Sequence, residues 1–242
     1  ITNETYVGNE AGKGGGLYVY FRNDSTTTLA QCNFTANNAL TTLGGGLLTN
    51  NDACQTTVYN NYYDSNRANS GGGGCFMQAG LAGAVNVTGE TMVNNYAAAN
   101  GGGGFYSITE GSLVHISDSI VNNNTADVDL GESKGGGIYI QFKTMSSATI
   151  SNTTFDNNTA YVGGGMLVND FEESQLNVST CKFTHNTATF GGGLASQVMN
   201  GSFASYDSLF FDNNTASASG AGLYCNTWNL STTNMSDRKS VV

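Results

Sequence analysis

The side chains able to do covalent or metal chemistry are few in this chain, and they are scattered. Five cysteines, Cys32, Cys54, Cys75, Cys181 and Cys225, include no C-x-x-C pair and no histidine at metal-binding spacing. His115 and His185 have no serine or cysteine nucleophile in register with them, so surface or turn roles are expected. The stretch from Ala126 to Lys134 sets Asp127, Asp129 and Glu132 about a turn-forming Gly131. Alternating acidic oxygens before a glycine are what calcium loops use, but the distal bidentate glutamate is missing. A solvated loop is expected, with calcium as the one candidate cofactor and otherwise none. Asp170, Glu172 and Glu173 read as an exposed turn.

The more numerous acceptors are for sugar. Twelve N-x-S/T sequons occur, at Asn3, Asn23, Asn33, Asn86, Asn123, Asn152, Asn157, Asn177, Asn200, Asn213, Asn229 and Asn234. That is about twice what an Asn-, Ser- and Thr-rich composition gives by chance. N-linked glycans on an extracellular or cell-surface protein are the expectation.

These residues must be positioned by a chain of unusual make-up: 242 residues, 33 glycines, no proline, and 18 acidic against 8 basic side chains for a net charge of −10. So few cations cannot neutralise phosphates, which argues against nucleic acid and anionic membrane as partners. No apolar run reaches the roughly 18 residues of a membrane helix, so no membrane insertion is expected. Residue 1 is not Met and does not open a signal peptide, which fits a mature product or a fragment. Asp237 to Val242, with Arg238 and Lys239, fall outside the pattern described next and read as a linker or tail.

That pattern is a repeat. Glycine clusters end at Gly16, Gly46, Gly74, Gly104, Gly137, Gly165, Gly193 and Gly222, at spacings of 28 to 33 residues. In phase with them an apolar or aromatic residue precedes asparagine by three positions, at Asn9, Asn37, Asn66, Asn95, Asn124, Asn158, Asn186 and Asn214. Between the markers lie short β-forming segments such as GGGLYVYF and SATISNTTF, bounded by turn residues. Clusters of three or four glycines do not suit helix interiors. Each unit therefore reads as a β-coil of two or three strands, and one coil cannot bury its apolar face alone, so the coils must stack. The fold expected is all-β: a parallel β-helix of about eight coils of 28–30 residues, one longer, forming a single domain over residues 1–242. Missing proline fits strands that are paired on both sides. The asparagines are expected to form an internal amide ladder and the glycines a corner of close backbone approach.

The paired signature, GGG followed by Leu or Ile and then Phe-x-x-Asn, is similar to the repeat of chlamydial polymorphic membrane proteins, though the third small residue here is Gly where Ala is usual. The resemblance implies a right-handed parallel β-helix of the pectin-lyase-like kind, carried in that family by surface-exposed adhesins. Enzymes with such a fold act on acidic polysaccharides through clustered Asp and basic residues. Here arginines are limited to Arg22, Arg67 and Arg238 and no Asp-Asp pair occurs, so the chain is not expected to be an enzyme.

Cys32 and Cys181 occupy equivalent positions five coils apart, on the order of 24 Å, too far to pair. Cys54 and Cys75 are the expected disulfide, with the odd thiol either buried or linking two chains. Leu17, Leu47, Cys75, Phe105, Ile138, Met166, Leu194 and Leu223 follow the glycines and are expected to face inward. Their successors then face outward by strand alternation, and Tyr18, Phe76, Tyr106, Tyr139 and Tyr224 form an aromatic contact stripe that another protomer, a sugar or a neighbouring segment would cover. Two functions follow. The first is a non-enzymatic structural glycoprotein, a subunit of a fibril or adhesin that self-associates by end-to-end stacking and lateral contacts. The alternative is a carbohydrate-binding or polysaccharide-degrading β-helix protein that uses the stripe as a sugar platform.

Overall fold

The structure is a computed structural model that describes residues 1–127, 131–169 and 172–236. Among these residues there is no helix; parallel strands stack as a β-solenoid of about eight coils. Each of the first five coils has four strands, not two or three, because residues flanking the ladder asparagines add a further short strand. Sheet I holds the eight strands that follow the glycines, from Leu17–Phe21 to Leu223–Thr227. Sheet II runs from Thr26–Ala30 to Thr232–Ser236, and sheet III holds eight three-residue strands from Thr5–Val7 to Phe210–Asp212. Sheet IV has five two-residue strands, Glu10–Ala11 to Thr125–Ala126, and the same row resumes in the pair Thr187–Phe190 and Thr215–Ser219.

Register is what turns a sequence repeat into rows of side chains. Phe34 pairs with Tyr6 and Tyr63, and Phe183 with Phe155 and Phe211, so one residue type climbs sheet III. The rings stack at 5.0 and 5.1 Å through Tyr6, Phe34 and Tyr63, and again at 4.7 and 5.2 Å through Phe155, Phe183 and Phe211. Met92 and Val121 fill the gap. Stacked rings of this kind add to what their buried area contributes.

Beside this row runs the amide ladder. The Nδ2 of Asn37, Asn66, Asn95, Asn124, Asn158 and Asn186 each donates to Oδ1 of the next asparagine at 3.0 Å. Each backbone N–H donates to that same oxygen, and each amide also donates to a carbonyl of the coil before, as Asn66 does to Phe34 at 2.8 Å. In a buried amide with all these groups paired, the hydrogen bonds offset the cost of desolvation. Two positions after every ladder residue stands alanine, from Ala11 and Ala39 to Ala188 and Ala216, and Ala39, Ala68, Ala97, Ala126, Ala160 and Ala188 are buried. The tight bend into sheet IV leaves room for one methyl group.

The glycine corner closes the coil. Gly44 has φ of 71°, which side chains resist, and a Cβ on Gly45 would collide with the carbonyl oxygens of Gly73 and Arg67. Backbone thus packs on backbone there in the first seven coils, while in the eighth Ala221 takes the middle position.

The register corrects one boundary. Cys75 pairs with Gly104, and Gly104 in turn with Ile138, so the fourth corner ends at Gly103 and Gly104 already belongs to sheet I. Phe105 therefore faces outward and Tyr106 inward, reversing the expectation for both. Four consecutive glycines hid the shift, since glycine shows no periodicity of its own. With the corrected corner the long interval is 34 residues for the glycines, from Gly103 to Gly137, as it is for the asparagines, from Asn124 to Asn158.

Candidate functional site

Sheet I bears the stripe, now Tyr18, Leu48, Phe76, Phe105, Tyr139, Leu167, Ala195 and Tyr224 in continuous register. It is not an open platform. Leu48, Phe76, Phe105, Tyr139, Leu167 and Ala195 are buried in a small second core, onto which Leu43, Val162 and Tyr224 pack. Lys134 lies over the Tyr139 ring at 5.7 Å, and Phe190 packs on Tyr224 at 5.7 Å between ring centroids. The covering element is the chain's own run into the glycine corner. Among the ring members of the stripe only Tyr18 is exposed, and Lys13 stands 4.8 Å from its ring. Tyr106 lies wholly in the main core. Along the middle of the sheet these rings therefore present no open face.

The sequon asparagines sort into five places. Asn123, Asn157 and Asn213 occupy the turn from sheet III to sheet IV at φ of 53, 53 and 50°, a left-handed conformation that asparagine tolerates. Asn23, Asn200 and Asn229 sit in the turn between sheets I and II, again with positive φ, and Asn3 and Asn152 in the turn between sheets II and III. Asn86, Asn177 and Asn234 share one outward column of sheet II, and Asn33 opens a strand of sheet III. All are exposed except half-buried Asn33. Four of them link from coil to coil: Asn157 donates to Asn123 at 3.1 Å, Asn123 to Asn94 at 2.7 Å, and Asn229 to Asn200 at 3.0 Å.

The cysteines are corrected. All five belong to the described residues and no two are bonded. Cys54 lies at the corner into sheet II, where its Sγ is 3.1 Å from Ser25 Oγ, while Cys75 opens a strand of sheet I and points at the Tyr106 hydroxyl, 3.8 Å away. The two belong to different rows, so the Cys54–Cys75 disulfide does not form. Cys32 and Cys181 do stand in one row, each in the residue before a sheet III strand.

That row is a second ladder, which the sequence reading missed. Cys32 N–H donates to Asn61 Oδ1 at 2.8 Å, Asn61 N–H to Glu90 Oε1 at 3.0 Å, and Glu90 N–H to Ser119 Oγ at 3.2 Å. Its residue types change from coil to coil, so composition carried no signal; only position relative to the ladder asparagine would have found it. A third row, Ser146, Ser174, Ser202 and Ser231, links N–H to Oγ at the corner into sheet II. Glu90 is fully buried, and burial pushes its carboxyl up to about 8 against the lowering pull of the bonds from Asn61. Tyr63, Tyr106 and Cys75 surround it, each raised by burial first and by the carboxyl as well.

Asp127 accepts from the Tyr96 hydroxyl and Glu132 is exposed, while Asp129 lies outside the described residues. No three acidic, histidine or cysteine side chains gather as metal ligands among the described residues. Glu172 and Glu173 are exposed; Asp170 and the 237–242 tail, with Arg238 and Lys239, are outside the described residues. His185 bonds Asp156 at 2.9 Å on the surface. His115 faces out from sheet II in register with Asn86 and Thr149.

No curated protein and no solved structure matches the chain. A family model does: the Chlamydia polymorphic membrane protein repeat matches residues 118–141 and 208–226. Both matches cover the same arc of a coil, from the turn before sheet III through the ladder asparagine and the glycine corner into sheet I. The solenoid is thus built on coils similar to the chlamydial polymorphic membrane protein repeat.

Proposed function

We propose that the chain is a non-enzymatic structural glycoprotein of the cell surface or extracellular space, a β-solenoid rod that serves a fibril or adhesin by shape and contact. The observation that carries this reading is the uniformity of the coils. The amide ladder, the alanine row and the glycine corner are the same from one coil to the next, which makes a stiff rod and distinguishes no coil as a reaction centre. The similarity to a surface protein's repeat and the exposure of eleven of the twelve sequons support the location. The strands at either end of the described stack keep one edge unpaired, and in this reading further coils or a second copy continue them end to end.

Negative-stain electron microscopy of native material, with mass mapping of the sequons, tests the proposal. Rods or filaments of uniform width carrying N-glycans are the expected result. Bare sequons on protein secreted by a glycosylating host would remove the glycoprotein part, and turnover of a polysaccharide would remove the structural one.

A further inference from the structure

The surface of the solenoid divides into two arcs. One runs from sheet IV through the glycine corner to the end of sheet I; the other takes sheets II and III with the turns that flank them. All twelve sequons fall on the second arc. Supply of asparagine does not explain this: the first arc holds seven asparagines, Asn38 and Asn226 among them, and none is followed by x-Ser or x-Thr. Outside the ladder the second arc holds sixteen, of which twelve are sequons.

Charge follows the same division. Among the described residues the first arc carries four acids, Glu10, Asp52, Asp127 and Glu132, against three bases, Lys13, Arg67 and Lys134. Two of those acids accept a tyrosine hydroxyl, Asp52 from Tyr20 and Asp127 from Tyr96. The second arc carries eleven acids against three bases, Arg22, Lys143 and Lys182. Glu90 is buried and keeps its proton at neutral pH, so of the described residues' net charge −7 lies on the sequon arc and −1 on the other. On the first arc, next to the buried stripe, an outward column of sheet I bears the half-buried amides Asn50, Gln78, Gln197 and Asn226.

We propose that this sequon-free, nearly neutral arc is where a second copy of the chain packs, same face to same face. The occupant follows from charge. Two copies repel each other through the acidic arc, whereas this arc meets its own likeness with almost no net charge. Amides carry donors and acceptors together and so complement themselves across a two-fold axis, and both copies have the same strand period. With the run that covers the stripe forming part of the contact, the projected face over sheet I is on the order of 600 Å² per copy, and sheet IV with the corner brings this towards the roughly 800 Å² of a standard interface. The absence of glycan from the arc rests on the glycoprotein reading; the charge division stands without it.

Sedimentation equilibrium of the full chain, secreted from a glycosylating eukaryotic host, tests the proposal. A dimer in the micromolar range is expected. The double variant Gln78→Glu/Gln197→Glu should weaken it at least tenfold at low salt, with partial recovery in high salt, while Thr26→Glu on the outer face of sheet II leaves it unchanged. Asp52→Thr, which makes Asn50 an acceptor, should give a monomer once glycosylated, and Thr26→Asn, which adds a sequon to sheet II, should not. Melting curves confirm that each variant folds. A monomer at about 100 μM, an undiminished Gln78→Glu/Gln197→Glu dimer, or equal weakening by Thr26→Glu would overturn the proposal. Bare sequons with a dimer that still responds to Gln78→Glu/Gln197→Glu would instead sink the glycoprotein reading alone.

Discussion

Glu90 stands where neighbouring coils place an amide or a hydroxyl, and its surroundings determine how it titrates. Burial raises its carboxyl to about 8, from near 4.5 in the unfolded chain. The folded state therefore holds a proton that the unfolded state has lost between those values, and stability falls as pH rises through that window. Tyr63, Tyr106 and Cys75, the titratable groups facing it, are raised further still and stay neutral there. Glu90→Gln keeps an acceptor for Asn61 without the charge, so its melting temperature should exceed the parent's at pH 8 and converge on it near pH 5; parallel curves for the two would refute this. The thiols give a second prediction. Cys32, Cys54, Cys75 and Cys181 are buried and Cys225 is half-exposed, so a water-soluble thiol reagent should label one cysteine quickly in the native protein and all five after denaturation.

Among the elements, the ladder shows how local failure spreads. Asn124→Ala takes away the oxygen that accepts both the N–H and the amide of Asn95 at 3.0 Å, leaving buried donors unpaired. A loss of about 3 kcal/mol is expected by denaturant titration, against about 1 kcal/mol for exposed Asn94→Ala beside it, where the cost is that of alanine at a φ of 56°. The ladder and the corner were legible because each repeats one residue type in phase. The alanine row was equally periodic, but alanine is common enough to escape notice without the asparagine as a ruler. The mixed row of Cys32, Asn61, Glu90 and Ser119 had no such type to follow, since what recurs is the position of an acceptor and not its identity. The side of Tyr106 was misread for a related reason: the two-residue alternation of a strand is counted from its first residue, and glycine does not show where that residue is. The covering of the stripe by Leu43, Val162 and Phe190 depends on how the chain enters the corner, which no local spacing encodes.

For the molecule as a whole, strength and length are separable. Stability in such a stack is a sum over neighbouring coils, so removal of one complete coil costs its own contribution and no more. Deleting residues 67–95 joins Asn66 to Tyr96, which already donates its N–H to Asn66. That protein should remain a cooperative β-fold by circular dichroism, shorter by about 4.8 Å, whereas deletion of half that span should not fold. The lateral face would survive the excision too, since each coil contributes its own share of it. The glycine corner adds a consequence for heredity. Because backbone there touches backbone with no side chain between, one corner mates with any other, and a gene that gains or loses a whole coil by unequal recombination yields a rod that still closes. Its length can then change in unit steps, as notches on a measuring stick, whereas a single-residue insertion at the corner would break the contact of backbone with backbone.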